Sequence, residues 1–132
     1  MKLRFSVKGD LKLPPAHKDA WLTALRGDDY DQTKSALHDT TGFCCLGVQC
    51  DVLGVKWQAS GLNSTFATEH NSIQMPTVKD LGPEILAVMQ QGTTFHPDDD
   101  NEGTLDVMGA LSWHNDKGST FDEIADWVEI YL

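Results

Sequence analysis

The last thirteen residues, TFDEIADWVEIYL at positions 120–132, decide how this chain folds. Thr120 can accept a hydrogen bond from the first turn of a helix, and Glu123 follows three positions later, which completes a capping box. Apolar residues then recur at the spacing of one helix face, while acidic residues occupy positions between them. The apolar residues are Phe121, Ile124, Ala125, Val128 and Tyr131, and the acidic residues are Asp122, Glu123, Asp126 and Glu129. This pattern predicts a helix with one buried face and an almost purely anionic outer face.

Patterns upstream of this stretch predict further helices and a small sheet. Apolar residues recur at helical spacing in three other segments, and two prolines mark the starts of shorter helices. These predicted helices cover residues 17–26, 43–53 and 104–114, with the shorter ones starting at Pro76 and Pro83. Residues 1–13 alternate apolar and basic, which is typical of a strand or hairpin. We therefore expect one acidic α+β domain over residues 1–132, with three to five helices and a small antiparallel sheet that includes the N-terminal strand.

The charge of the chain is negative and unevenly distributed. The formal net charge is -10, yet residues 1–18 carry five basic residues against Asp10, a balance of +4. Residues 98–132 carry ten acidic residues against Lys117, a balance of -9. Binding to nucleic acid or to an anionic membrane requires positive charge on the protein. The pattern therefore argues against both ligands for the C-terminal third and favours a positively charged partner.

Composition and the cysteine pattern favour a cytosolic protein. Hydrophobic residues make up 40% of the chain and charged residues 23%, which is ordinary for a folded domain. No apolar stretch approaches the ~20 residues that cross a bilayer, and the charged N-terminus lacks the apolar region of a secretory signal. The three cysteines, Cys44, Cys45 and Cys50, form an odd cluster that is unsuited to a disulfide framework. We expect reduced thiols and a location in the cytoplasm.

Two motifs resemble a group of small hypothetical proteins encoded by tailed bacteriophages. The first is GFCCLGVQCDV at residues 42–52, preceded by WLTALR at residues 21–26 and by a Tyr30-x-Gln32 pair. The second is Leu111-x-x-x-Asn115-Asp116-x-Gly118-x-x-Phe121-x-Glu123-Ile124-Ala125-Asp126. The resemblance covers about residues 20–54 and 104–131. It implies an accessory protein in the cytoplasm of an infected bacterium, a setting in which small acidic proteins often inhibit host enzymes.

The cysteine cluster supports two interpretations. If a helix begins there, its N-terminal dipole favours a thiolate at Cys44 or Cys45, with His38 as a base. Helical spacing also places Cys45 and Cys50 on an apolar face, where a free cysteine packs as a small hydrophobic residue. We favour packing in the core. The alternative is a small enzyme or nucleotide-sequestering protein with a pocket near Cys44, Cys45 and His38.

No metal or cofactor site is predicted. Adjacent cysteines rarely reach one ion together, and no second cysteine pair supplies the other ligands of a zinc site. The acidic run that begins at Asp98 resembles the start of a calcium-binding loop, but the position of its bidentate glutamate is occupied by Gly109. We expect a solvated acidic loop without a bound ion.

The leading functional hypothesis is a non-enzymatic interaction protein with an acidic face that mimics nucleic acid. Such a face would dock on the basic groove of a host protein that handles nucleic acid or acts in defence, and charge complementarity would speed their encounter. Trp127 or Trp113 is the expected aromatic anchor, unless both lie in the core. The predicted partner-binding residues are Asp98, Asp99, Asp100, Glu102, Asp116, Asp122, Glu123, Asp126, Trp127 and Glu129.

Other arrangements would give that surface a different role. We expect no direct binding to nucleic acid or membrane. In a homo-oligomer, the basic N-terminal segment would pair with the acidic face of a neighbouring chain and hide it. A component of the virion or of its scaffold is a third interpretation.

Overall fold

Proline and capping residues mark several helix starts, including those that the sequence predicts at Pro83 and after Thr120. Pro15 and Pro83 lie in the first turn of their helices, where a missing backbone N–H costs nothing. Thr120 and Glu123 form the predicted capping box, with hydrogen bonds of 3.2 and 2.9 Å. The computed structural model describes residues 2–60, 65–67, 76–97 and 103–132. Its helices are α1 (Pro15–Arg26), α2 (Cys45–Val52), α3 (Val78–Leu81), α4 (Pro83–Met89), α5 (Val107–Lys117) and α6 (Phe121–Tyr131).

The strands form two separate antiparallel hairpins. β1 (His38–Asp39) pairs with β2 (Gly42–Phe43), and β3 (Gln58–Ser60) pairs with β4 (Thr65–Ala67). The described residues thus form a small α+β fold, as predicted, with six helices where three to five were expected.

The N-terminal arm (residues 2–13) differs from the strand that its alternation predicts. In the part of the chain that the structure describes, the arm makes one isolated bridge, between Val7 and Thr93. Beyond this bridge, the Gln91 side chain binds the backbone of Leu11 through both its oxygen and its nitrogen, at 2.8 and 3.0 Å, and so replaces a strand ladder. The alternation instead determines burial, because Leu3 and Phe5 lie in the core while Lys2 and Arg4 are exposed.

The core forms where α1 packs between α6 and α2. Ile124, Ala125 and Val128 on the apolar side of α6 are completely buried. Burial of a side chain such as Ile124 contributes roughly 1.5–3 kcal/mol. On the other side of α1, the buried Trp21 indole donates a hydrogen bond to the Cys45 carbonyl oxygen at 3.1 Å. These contacts set the orientation of α6 relative to the rest of the fold.

Asn115 in α5 connects segments that lie far apart in the sequence. Its Oδ1 accepts hydrogen bonds from Gln32 Nε2 at 2.8 Å and from the Cys45 amide at 3.2 Å. Its Nδ2 donates to the Thr33 carbonyl oxygen at 2.8 Å. Gln32 also donates to the Ser119 carbonyl oxygen at 2.8 Å. The GFCCLGVQCDV motif and the C-terminal motif therefore meet at one buried amide.

Two glycines of the first motif permit close backbone contacts. A Cβ atom at Gly47 would collide with the Leu37 carbonyl oxygen, and one at Gly42 would collide with the Asp31 carbonyl oxygen. Such approaches are open only to glycine, which has no side chain. Much of the motif is thus explained by the packing of α2 against the β1–β2 hairpin and the loop before it.

We predict that Asn115→Ala lowers the free energy of unfolding by about 3 kcal/mol, because the Cys45 amide and the Thr33 carbonyl lose their buried partner. Urea denaturation measures this loss. Gln90→Ala removes an exposed amide side chain at the end of α4 and should change stability by less than about 0.5 kcal/mol. A loss below about 1 kcal/mol for Asn115→Ala would contradict the role of Asn115.

Candidate functional site

The outer face of α6 forms a ridge between two grooves. Asp122, Asp126, Glu129 and Ile130 are exposed along this ridge. On the α1 side lies an open groove of about 630 Å³, lined in part by Thr23 and Arg26 together with Glu129. On the side of the N-terminal arm lies a second groove of about 450 Å³, whose lining includes Leu3, Trp127, Tyr131 and Ile130. The ridge with its two grooves is the candidate site, and we call it the α6 ridge.

Arg26 neutralises part of the charge on the α6 ridge. Its guanidinium lies 2.9 Å from Asp126 Oδ1 and 3.1 Å from Glu129 Oε2. Both carboxylates stay open to solvent, with side chains that are 71% and 53% exposed. Exposed ion pairs contribute only about 0–1 kcal/mol, so Arg26 can release either carboxylate to another cation at little cost.

Two lysines bind the C-terminal end of α6. Lys12 Nζ donates to the Tyr131 carbonyl oxygen and Lys18 Nζ donates to the Glu129 carbonyl oxygen, both at 2.9 Å. Cations are favoured there because the last carbonyl groups of a helix carry partial negative charge. The expectation of an almost purely anionic outer face is therefore wrong for the C-terminal half of α6, where cations of the same chain gather. Of the acidic residues in the N-terminal half, Asp122 is exposed, Asp126 is bound by Arg26, and Glu123 accepts a hydrogen bond from the Thr120 amide.

Among the remaining predicted acidic residues, the structure describes Asp116, which is engaged within the fold. Asp116 accepts hydrogen bonds from the Ser35 amide at 3.0 Å and from Asn115 Nδ2 at 3.2 Å, so it holds neighbouring segments together. Asp98, Asp99, Asp100 and Glu102 lie outside the described residues. Asp106, which follows them, caps α5 by accepting a hydrogen bond from the Gly109 amide at 2.8 Å.

Trp127 is not an exposed anchor, which corrects the prediction from sequence. Its side chain lies in the core, where the indole Nε1 donates to the Phe5 carbonyl oxygen at 2.7 Å. The Phe5 ring packs 4.6 Å from the Trp127 ring, so the arm covers this residue. Trp113 is half-buried and packs against Phe95. Ile130 is instead the exposed apolar residue of α6, and its position outside the helical spacing of the other apolar residues of α6 was the available signal.

The cysteines are buried, as predicted, and their environment opposes thiol chemistry. Cys44 caps α2 by accepting a hydrogen bond from the Gly47 amide at 3.4 Å, and burial raises the pKa of the Cys44 thiol to about 11. Burial also raises the pKa of Cys45 and Cys50. Since the thiolate is the reactive form of cysteine, none of the three is activated. His38, which the enzyme alternative requires as a base, stacks on Phe43 with ring centroids 3.7 Å apart.

Sequence reasoning missed a half-buried aromatic cluster beside this motif. The Asp51 carboxylate accepts hydrogen bonds from the Tyr30 hydroxyl and from Trp57 Nε1, and Phe43 packs edge-on against both rings. Burial, together with the bonded Asp51 carboxylate, raises the pKa of Tyr30. Because this carboxylate already has two donors, we interpret the cluster as support for the end of α2. The Tyr30-x-Gln32 pair was its only sequence signal.

The described residues contain no cluster of metal-ligating side chains and no helix that could span a membrane. No three histidine, cysteine or carboxylate side chains among them converge in a way that would hold a metal ion. None of the helices in the described ranges combines the length and the apolarity needed to cross a bilayer.

Comparison with known families gives the chain its classification. The model of a family described as Domain of unknown function (DUF8296) matches residues 14–132. The chain belongs to this family. A search with the chain finds no match among the curated proteins and none among the solved structures. The matched region includes α1 and α6, whereas the whole N-terminal arm precedes it.

We predict that a maleimide leaves Cys44 unmodified in the native protein over a period in which the unfolded protein reacts completely. Reaction requires both exposure and ionisation of the thiol, and burial prevents both. Ile130→Cys provides a positive control, because position 130 is exposed and should react rapidly. Mass spectrometry of the digested protein locates the modified residue. Modification of Cys44 in the native protein as fast as that of a cysteine at position 130 would contradict this prediction and support the enzyme alternative.

Proposed function

We propose that this chain is a non-enzymatic interaction protein that binds a basic partner protein with its α6 ridge. The observation that carries the proposal is that α6 has one buried apolar face and one exposed acidic face. Ile124, Ala125 and Val128 on its apolar side are completely buried, while Asp122 and Asp126 project from an exposed ridge that has a groove on each side. Protein partners use such raised surfaces for docking, and complementary charge accelerates their encounter.

The partner that suits this surface is a host protein whose basic groove normally holds DNA or RNA. The net charge of -10 and the resemblance to proteins of tailed bacteriophages support this choice. Occupation of the groove by the α6 ridge would exclude nucleic acid and inhibit the host protein. The site of action under this proposal is the cytoplasm of an infected bacterium.

The charge distribution indicates how such a partner binds. Asp122 and Asp126 are one helical turn apart, so their carboxylates lie on the same side of α6. Arg26 holds Asp126 through an exposed ion pair, which a lysine or arginine of the partner can replace. The partner therefore competes with Arg26 at one position and binds Asp122 directly at the next. The α6 ridge would thus imitate nucleic acid with a short row of carboxylates rather than with a long anionic surface.

Affinity capture with matched charge variants tests the proposal. We predict that Asp122→Asn/Asp126→Asn weakens binding to the captured partner about tenfold, which corresponds to ~1.4 kcal/mol. The control Asp28→Asn/Asp29→Asn removes the same charge from exposed positions just after α1 and should bind like the wild type. Nuclease-treated bacterial lysate serves as the source, and surface plasmon resonance with the recovered protein measures affinity.

Added DNA should displace the captured protein from the wild type, and affinity should fall as salt is raised. Equal binding by the two double variants would contradict the proposal. Recovery of proteins that bind no nucleic acid would contradict its account of the partner.

A further inference from the structure

His114 of α5 lies in a buried aromatic cage, and the N-terminal arm supplies one wall of this cage. The side chain is only 4% exposed. Its imidazole stacks on Phe5 of the arm, with ring centroids 5.4 Å apart and an angle of 20° between the ring planes. Phe95 and Trp113 form the other walls, with centroids 4.7 and 5.0 Å from that of His114. A change in the charge of this ring therefore acts directly on the contact between α5 and the arm.

The two ring nitrogens of His114 have different surroundings. Nδ1 lies 3.3 Å from the hydroxyl oxygen of Ser119. Nε2 is buried and has no hydrogen-bond partner among the described residues. A neutral imidazole carries one N–H, whereas an imidazolium carries an N–H on both nitrogens. Protonation would therefore place a charge and an unsatisfied donor inside the cage, which is unfavourable in apolar surroundings.

Burial dominates the electrostatics of the cage. It is the largest cause that lowers the pKa of His114, and two charged groups then act in opposite directions. The amino terminus of the chain lowers the pKa of His114 further, whereas Glu123 of α6 raises it. Other charged side chains on the elements that form the cage are exposed, namely Lys2, Arg4 and Lys8 in the arm, His96 next to Phe95, and Lys117 in α5. The docked arm thus favours the neutral ring.

The arm is the wall of the cage that can move most readily. α5 is fixed in the core by the bonds of Asn115 and by the complete burial of Leu111. Residues 2–8 are held by the burial of Leu3 and Phe5 and by a few backbone hydrogen bonds. These bonds join Trp127 Nε1 to the Phe5 carbonyl oxygen at 2.7 Å, the Thr94 amide to the Ser6 carbonyl oxygen at 2.9 Å, and the Lys8 amide to the Gly92 carbonyl oxygen at 2.9 Å. Just beyond them, Gln91 holds Leu11.

We infer that residues 2–8 form a pH-sensitive strap, which protonation of His114 shifts from the docked state toward a released state. Release moves the Phe5 ring off the imidazolium, which then reaches water. It also uncovers Trp127, whose indole lies beneath Phe5. The bonds between Gln91 and Leu11 set the end of the strap. This inference goes beyond the proposed function and does not depend on it.

The direction of the pH dependence follows from the two states. A histidine in water has a pKa of about 6.5, and burial holds the pKa of His114 below that value while the strap is docked. The released state therefore binds a proton more readily than the docked state. Docking is strongest above about pH 6.5 and weakens as the pH falls toward the docked-state pKa of His114. Within this window, the ratio of docked to released chains should fall by up to about tenfold per pH unit.

Burial also lowers the pKa of a second histidine, His17, which requires a local readout. His17 stacks on Trp21 and lies 3.2 Å from the Gln49 amide, so its protonation acts on the contact between α1 and α2. A global measurement of unfolding would combine the two histidines. Signals from the strap itself separate them.

NMR of the full chain between about pH 8 and pH 5 tests the inference. Saturation-transfer measurements on the Trp127 indole N–H and the Lys8 amide give the population of the released state, and the ring carbons of His114 report its protonation. We expect the released population to rise below about pH 6.5 in step with protonation of His114. His114→Phe fills the cage with a ring that takes up no proton and should abolish this rise. The control His96→Phe removes an exposed histidine beside the cage and should behave like the wild type.

Three results would overturn the inference. The first is a strap that stays docked while His114 becomes protonated, and the second is an unchanged pH dependence in His114→Phe. The third is a pKa of His114 above about 6.5, because the cage would then stabilise the imidazolium through cation–π contacts.

Phe5→Ala supplies a second test that remains decisive if His114→Phe does not fold. Because it removes one wall of the cage, it should raise the pKa of His114 toward about 6.5. An unchanged pKa of His114 in folded Phe5→Ala would overturn the inference. Circular dichroism establishes that each variant is folded.

Discussion

Burial of the apolar side of α6 against α1 is the constraint on which the rest of this structure depends. Apolar and acidic residues alternate along α6 at helical spacing, so burial of Ile124 and Val128 directs Asp122 and Asp126 outward. The same packing brings Arg26 of α1 within hydrogen-bond distance of Asp126 and Glu129. One contact therefore both exposes the acidic ridge and limits its charge.

The parts of the fold that the sequence predicts are those determined by local signals. The capping box at Thr120 and Glu123 and the proline at Pro83 give helix starts to within a residue or two. Contacts between distant segments have no such signal. The pairing of Arg26 with α6 and the burial of Trp127 beneath Phe5 both arise from tertiary packing. The first reduces the charge of the predicted site, and the second removes its aromatic anchor.

The two motifs of the sequence determine architecture more than binding chemistry. Gly42 and Gly47 allow close backbone contacts, and Asn115 holds Gln32 and the Cys45 amide. The cysteines fill the core. Residues proposed to bind a partner occupy exposed positions on α6, where substitution affects the fold least. The described residues therefore divide into a core that maintains the fold and a ridge on which specificity can change.

Photo-cross-linking in living bacteria tests the central claim most directly. A photoreactive amino acid at position 122 on the α6 ridge, compared with one at the exposed position 84 in α4, would report which surface contacts a partner. The account predicts a cross-link from position 122 to a basic, nucleic-acid-binding protein, and none to that protein from position 84. Cross-links to that partner from position 84 alone would show that another surface binds it and would contradict the account.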